Sequence, residues 1–335
     1  MARTGFPLIS VPLSGVVIRY AGINRETRGY IADRVAPIKK VKSQLFRWYS
    51  SRIGEAFTVY DTQIDRLGQA NEMLHNWDLV EASTKDYAIR EPVAYQDEAE
   101  AQAQGISFQL KSEAATNVVD QIQLNREMRV ATLTNSAASY LPAYVVDKTA
   151  ARWTDFANSD PVADVRDAQS KMLVRPNIGV CSRRVADILE RHPKIAAALG
   201  GSLQSGQYND MARVARLFNL REIIVGDTIY QTSKPGQTLA TGNIWADNFA
   251  MHYQGPTAGG TGSDLTMSAN GPMSRSPDFL STFQFGDWVS SEKEFAPGDM
   301  GLYGGVKVLA GHSVLERQVA PYAGFLFQNV AIPAA

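Results

Sequence analysis

Apolar residues recur along this chain with two periods, one helical and one alternating, and the changes of period divide it into elements. Ser159 and Asp160 offer an N-cap, Pro161 stands where a missing N–H costs nothing, and Val162, Val165, Met172 and Leu173 recur on one face. The spacing predicts a helix of roughly four turns. Pro176 and Asn177 stop it, Ile178 to Cys181 read as a short buried strand, and Ser182 can cap a second helix striped by Val185, Ile188 and Leu189.

Upstream, Ala115, Val119, Ile122, Val130, Leu133 and Ala137 approximate a helical stripe from Ser112 to about Ser139, broken at the polar Arg126. At ~1.5 Å per residue such a helix is about 40 Å long and needs a sheet or a neighbour to lie on. Residues 43–95 carry short aromatic and β-branched runs at 45–49, 57–60 and 87–95 around a polar middle. Pro92 disfavours a central strand there, so a long two-stranded excursion with exposed edges is expected. Residues 1–42 place Gly22, Gly29 and Pro37 among charges and hold no helical period beyond a turn, which reads as an extended arm.

From 176 to 254 strand and helix signals alternate: Ile178 to Cys181, a helix from Arg183 to Leu199 interrupted near Pro193, Asp210 to Phe218, Glu222 to Val225, and Ile244 to Tyr253. That is an α+β core. Gly255 to Pro277 is rich in Gly, Ser, Thr and Pro and predicts a surface loop. Strands follow at Phe279 to Phe285, Gly304 to Leu309, Val314 to Val319 and Phe325 to Val330. No internal repeat is evident.

With 335 residues the chain can bury a substantial core, and at ~100 to 200 residues per domain it divides into two or three units. A net charge of −1 argues against a dedicated nucleic-acid binder. That total hides an asymmetry: residues 1–52 hold ten basic side chains against two acidic, a net +8, and residues 53–120 thirteen acidic against four basic, a net −9. Two readings fit: head-to-tail association of copies, or two solvated faces of one monomer. No run approaches the ~20 apolar residues of a membrane helix, and Pro7, Ser10, Pro12, Ser14 and Gly15 interrupt the apolar N-terminus before it forms a signal-peptide core. Cytosolic synthesis with no membrane is the expectation.

The single cysteine, Cys181, lies in an apolar strand reading and is expected to be a buried, inert thiol. Gly259, Gly260 and Gly262 form a glycine-rich loop, yet no Gly-Lys-Ser/Thr follows. The acidic groups Asp61 with Asp65, and Asp97 with Glu98 and Glu100, lie in polar segments where no pKa tuning is expected. No metal-ligand spacing and no hydrolase motif occurs, so neither catalytic residue nor cofactor is assigned. Arg47, Trp48, Tyr49 and Arg52 interleave base and ring, but without a second stacking platform they suit an anchor between subunits better than a nucleic-acid groove.

The order of these devices resembles the major capsid proteins of tailed bacteriophages. Tyr30, Ala32, Asp33 and Pro37 match a "YxADxxxP" passage; residues 95–105 (YQDEAEAQAQG) look like the acidic segment before the long helix; Arg126 and Glu127 fall where that helix commonly carries Arg-Glu. Trp153, Asp155, Ser159 to Pro161, Pro176 and Asn177, and then His192 and Pro193 follow in order. Residues 211–225 (MARVARLFNLREIIV) and Asn243, Ile244, Trp245 complete the series.

The resemblance implies an N-terminal arm (1–42), an extended loop (43–95), a peripheral domain (96–175) with a spine helix at about 112–139, and an axial domain (176–335) whose last strands return to the peripheral domain. It implies a shell protein forming hexamers and pentamers, packaged double-stranded DNA touched without sequence preference, and a virion location. A portal, a separate scaffolding protein or none, and optionally a decoration protein would be its partners. Arg34, Lys39, Lys40, Lys42, Trp48, Tyr49, Trp77 and Lys85 are the candidate contacts between copies. Lys85 is the only lysine between Lys42 and Lys111, hence the sole loop donor for the cross-link some members form, but no acceptor motif can be placed. Two other functions stay open at this point: an encapsulin-like compartment, and an α+β hydrolase with an unrecognised site.

Overall fold

A computed structural model describes residues 29–51, 54, 57–64, 68–73, 76–103, 110–200, 209–234, 236–255 and 278–331; side chains 49–51 and 77 lie outside the description. In chain order the elements begin with α1 (Ala32–Val35), β1 (Ile38–Val41), β2 (Leu45–Ser51), β3 (Trp77–Ser83), β4 (Lys85–Ala94), α2 (Tyr95–Ala103), α3 (Leu110–Asn135) and β5 (Val145–Asp147). Then come α4 (Pro161–Lys171), β6 (Ile178–Ser182), α5 (Arg183–Arg191), α6 (Pro193–Ala198), α7 (Met211–Leu217), β7 (Glu222–Gly226), β8 (Ile229–Gln231) and β9 (Thr241–Asn243). The last are β10 (Phe249–His252), β11 (Leu280–Phe295), β12 (Gly305–Gln318) and β13 (Gly324–Gln328).

Two sheets organise the protein. The first has strand order β1-β11-β12-β4 and the second β5-β13-β10-β6-β7, while β2–β3 and β8–β9 form separate hairpins. In the second sheet side chains alternate between two cores, as period 2 requires. Cys181, Phe249, Met251, Phe325 and Phe327 face Trp153 and helices α4 to α7. Ile178, Val180, Ile224, Ala250 and Leu326 face Tyr140, Trp245, Phe279 and the Val130, Ala131 end of α3.

Helix α3 ties the two sheets together. Its first half packs Ala114, Ala115, Val118, Val119 and Ile122 onto Val93 of β4 and Val306, Val308 and Ala310 of β12. Its second half lies against the second sheet. The helix has 26 residues, about 39 Å at ~1.5 Å per residue, and its two halves rest on different sheets.

Local signals work as read where they are chemical. Asp160 accepts from the N–H groups of Val162 and Ala163, Pro161 opens α4, and Ser182 caps α5 through Val185 N–H. The helix has 11 residues, three turns rather than four, because Met172 leaves the helical region; it stays buried while Leu173 is exposed. The strands expected in pieces at 279–285, 304–309 and 314–319 are two long strands: β11 continues past an irregularity between Phe285 and Val289 that Gly286, at φ +68°, accommodates. Of the Ile244 to Tyr253 strand only β10 forms.

Three boundaries differ from the sequence reading, one of them the division at 175/176: β5 and α4, before it, lie with the second sheet, whereas β11 and β12, after it, lie in the first. From Gly29 onward the 1–42 segment is not an extended arm: Tyr30, Ile31, Ala32, Val35 and Ala36 are buried, and β1 runs parallel along β11. The excursion of 43–95 ends before β4, which belongs to the first sheet as an edge strand, the position Pro92 permits. Residues 1–28 and most of the 255–277 loop lie outside the described residues.

Candidate functional site

Three passages distant in sequence meet at one carboxylate. Glu127 is fully buried on α3. Its oxygens accept from Ile31 N–H at 3.1 Å, Ala32 N–H at 2.8 Å and Trp245 Nε1–H at 2.8 Å. The two backbone donors open α1, whose N-cap position, Ile31, has no side-chain oxygen to offer. A helix start leaves such N–H groups without intrahelical acceptors and favours negative charge, so Glu127 caps α1 from outside. Burial pushes its carboxyl above the ordinary range, opposed by those donors and by Arg126.

Arg126, beside it on α3, reaches the first sheet. It pairs with Asp33, donates to Thr282 Oγ1 at 3.1 Å, and lies 3.6 Å from Glu316 Oε1. Arg129, one turn on, binds both Glu316 oxygens at 3.0 and 2.7 Å and lays its guanidinium 3.8 Å over the Tyr87 ring. His312 sits in this group, its ring centroid 4.2 Å from that of Trp288. Burial, then Arg126 and Arg129, hold its pKa down to about 3.

Residues 29–41 form a strap over this node, with contacts to both sheets. On the second-sheet side, Thr228 Oγ1 donates to Gly29 O at 3.3 Å, Gln254 Nε2 donates to Arg34 O at 2.9 Å, and Arg34 pairs with Glu222 of β7 at 2.5 Å. On the first-sheet side, Thr282 donates to Ala36 O and Pro37 O, both at 3.0 Å, and Lys39 meets Asp278 at 2.7 Å.

These pairs change the standing of the expected intersubunit residues. Arg34 and Lys39 form ion pairs within the subunit, and Lys40 pairs with Asp287 at the surface. Trp48 is not available as an anchor for a neighbour: it is 3% exposed and stacks on both Phe46 and Phe283, which also touch each other, at the root of the β2–β3 hairpin. Period 2 explains this, since Phe46 and Trp48 share the inward face. The backbones of Tyr49 and Trp77 lie in the hairpin ladder opposite Leu79 and Ser51. Lys42 is exposed, and Lys85, also exposed, stands at the head of β4 on the rim of a cavity of about 420 Å³ shared with Tyr87, Arg129 and Leu315.

Several exposed apolar side chains lie on the hairpin and in the segment that joins its strands. Phe57, Val59, Ile64 and Met73 are exposed between β2 and β3, Val59 at 94%, and Leu45 and Leu79 are exposed on the hairpin itself. None of these side chains is covered within the subunit.

Among the described residues, Ser159, His192 and Cys181 have other duties. Ser159 donates to Asp155 O at 2.6 Å, and His192 Nδ1 accepts from Lys194 N–H at 3.3 Å. The proton of His192 therefore sits on Nε2, pointed at Ser159 Oγ 3.0 Å away, the opposite of a nucleophile and its base. Cys181 is buried and its thiol is pushed up to about 12 by desolvation. Among the described residues no group of His, Cys, Asp and Glu could hold a metal ion, and no helix is long and apolar enough to cross a membrane.

The sequence reading named the Tyr30 to Asp33 passage, the Arg126, Glu127 pair and the Ile244, Trp245 passage, but not their convergence; Arg129, Glu316 and His312 it missed. A strongly basic residue followed by an acidic one amid a buried stripe was the available signal.

No protein-family model matches the chain. The major capsid protein of Pseudomonas phage JBD67 is 32% identical over 330 residues, which cover 98% of this chain and 99% of that relative. A phage-related protein of Bordetella bronchiseptica RB50 has the same fold at 18% identity, with a TM-score of 0.67 over 99% of this chain and 100% of that one. An encapsulin of Synechococcus elongatus PCC 7942 shares it more loosely, at 10% identity and a TM-score of 0.50, covering 91% of this chain and 89% of the other.

Proposed function

The chain belongs to the major capsid proteins of tailed bacteriophages, and from that premise we propose that its copies assemble as hexamers and pentamers into an icosahedral shell around double-stranded DNA. The observation that carries this reading is the end-to-end match to a phage capsid protein. The fold is the α+β fold of that family. The first sheet with α3 serves as the peripheral domain, the second sheet with α4 to α7 as the axial domain, and residues 43–84 as the extended loop.

Function here is geometry rather than chemistry. The exposed apolar loop beyond β2 and β3, with Lys42, Lys85, Tyr49 and Trp77, meets neighbouring copies, and no catalytic step or cofactor takes part. DNA is held through its phosphates without regard to sequence. Scaffolding and portal proteins guide assembly, with a decoration protein as an optional outer partner. The protein is made in the host cytoplasm and ends in the virion.

The encapsulin fold is a neighbour, but the relative matched along its whole length is a phage capsid protein. Sedimentation and electron microscopy of the purified protein test the proposal. Megadalton shells or free capsomers are expected, with nucleic acid extractable from particles made during infection. A persistent monomer or dimer across salt conditions defeats it; shells filled with a protein cargo and free of nucleic acid favour the compartment.

A further inference from the structure

The node around Glu127 joins parts that the fold could have left separate. Ile31 and Ala32 stand 96 and 95 positions from Glu127, and Trp245 stands 118 positions away, yet all three donate to one carboxylate. Neighbouring residues of α3 divide the directions: Glu127 takes Trp245, whose ring packs on Gly226 of β7, while Arg126 takes Thr282 of β11 and approaches Glu316 of β12. The strap crosses between the same two sheets.

Stability alone is a poor account of such a network. A buried ionic cluster is often matched or bettered by apolar residues of similar volume. What the three donors on the Glu127 carboxylate supply is a single geometry, because each has one place to go; Arg126 Nε, 3.6 Å from Glu316, is left without a hydrogen bond of its own. A subunit that makes the same contacts in every copy needs its two sheets at a fixed angle, since closure of a repeated interface depends on it.

We propose that Glu127, with Arg126, is a positioning residue for assembly: it seats the 29–41 strap across both sheets and so fixes the shape each copy presents to its neighbours. The proposal rests on the shell-forming reading above. A subunit lacking the carboxylate keeps the core under α4 to α7 and the core between α3 and the first sheet, but leaves α1 uncapped and loosens the strap, whose Ile31, Ala32, Val35 and Ala36 belong to the remaining core of the second sheet.

The test compares Glu127→Ala, the milder Trp245→Phe, and Val165→Ala, a core change on α4 away from the node. Hydrogen exchange at the Ile31 and Ala32 amides, thermal melting and electron microscopy are the readouts. Glu127→Ala is expected to speed exchange of those amides about ten- to hundredfold, to keep its far-UV dichroism, and to replace closed shells by open or irregular ones. Trp245→Phe moves the same readouts less and carries the test if Glu127→Ala does not fold. Val165→Ala lowers the melting temperature and leaves shells closed. Unchanged strap exchange in both node variants overturns the proposal alone. Normal closed shells from the node variants, or equal loss of shells in Val165→Ala at matched melting temperature, also overturn it. A wild-type protein that forms no shells removes the shell reading and the proposal together.

Discussion

The indole Nε1 of Trp245 and the carboxylate of Glu127 lie 2.8 Å apart inside the protein, and the indole reaches that position because residue 226 has no side chain. A Cβ built on Gly226 would fall 2.3 Å from the Trp245 ring. The glycine at the end of β7 is thus required by a close approach, and the approach aims the N–H at Glu127.

Gly226→Ala is therefore expected to destabilise the protein by about 1–3 kcal/mol, the usual range for overpacking, and to pull the indole off Glu127. Thermal melting and the tryptophan emission spectrum check this. An unchanged melting temperature would show that the ring relocates freely and that its place is not set by β7.

Stability should fall on mild acidification because of buried histidines. His252 stacks on Phe279 with centroids 4.3 Å apart, its Nε2 is 2.8 Å from Tyr140 Oη, and burial holds its pKa down to about 3. His312 is held down to about 3 as well. In the unfolded chain both titrate near ~6.5, so below that pH the unfolded state takes up protons that the folded state refuses. Stability is full above ~6.5 and is lost toward the folded values, by about 1.4 kcal/mol per pH unit for each histidine. His192, lowered by burial, acts in the same sense. Glu127, raised by burial, acts in the opposite sense, and the window that isolates the histidine effect is the first pH unit below ~6.5, where they titrate in the unfolded chain. Urea midpoints across that window measure the slope, and His312→Gln should flatten it.

Cys181 should resist thiol reagents until the protein unfolds. With its pKa pushed up to about 12, the thiolate fraction at pH 8 is roughly a thousandfold below that of a free thiol, and burial blocks approach as well. Labelling followed against urea should track the unfolding curve. Fast modification of the folded protein would contradict the buried, inert assignment.

Legibility in the sequence followed the range of the interactions. The start of α4 was readable because Asp160 and Pro161 act within a turn of their own positions. The break of the α3 stripe at Arg126 carried no sign of burial, since a charged residue within a helix ordinarily faces water; here Asp33 and Thr282 bring it partners from elsewhere in the fold. Strand β11 looked shorter because Gly286 and Asp287 interrupt its apolar pattern, whereas the ladder to β12 resumes at Val289 beyond the irregularity. Trp48 looked like an interface anchor because an aromatic beside basic residues shows no partner until Phe283, 235 positions away, is placed against it.

The final prediction separates the two parts of the hairpin. Its root is an internal structure: Phe46, Trp48 and Ala82 pack with Val41 and Phe283 in one cluster. Its far end offers Phe57, Val59, Ile64 and Met73 to solvent. Replacing residues 57–73 by a short Gly/Ser linker removes the exposed apolar groups and leaves the ladder from Leu45 to Ser83 intact. The melting transition should then stay within about 0.5 kcal/mol of wild type, as for surface changes, while shell formation is lost. Trp48→Ala should do the reverse at the root, costing about 3–5 kcal/mol as a buried aromatic. Melting curves and electron microscopy on the two variants decide the matter. Normal shells from the linker variant would show that the loop is not an assembly contact, and an unfolded linker variant would show that the loop belongs to the subunit's own core.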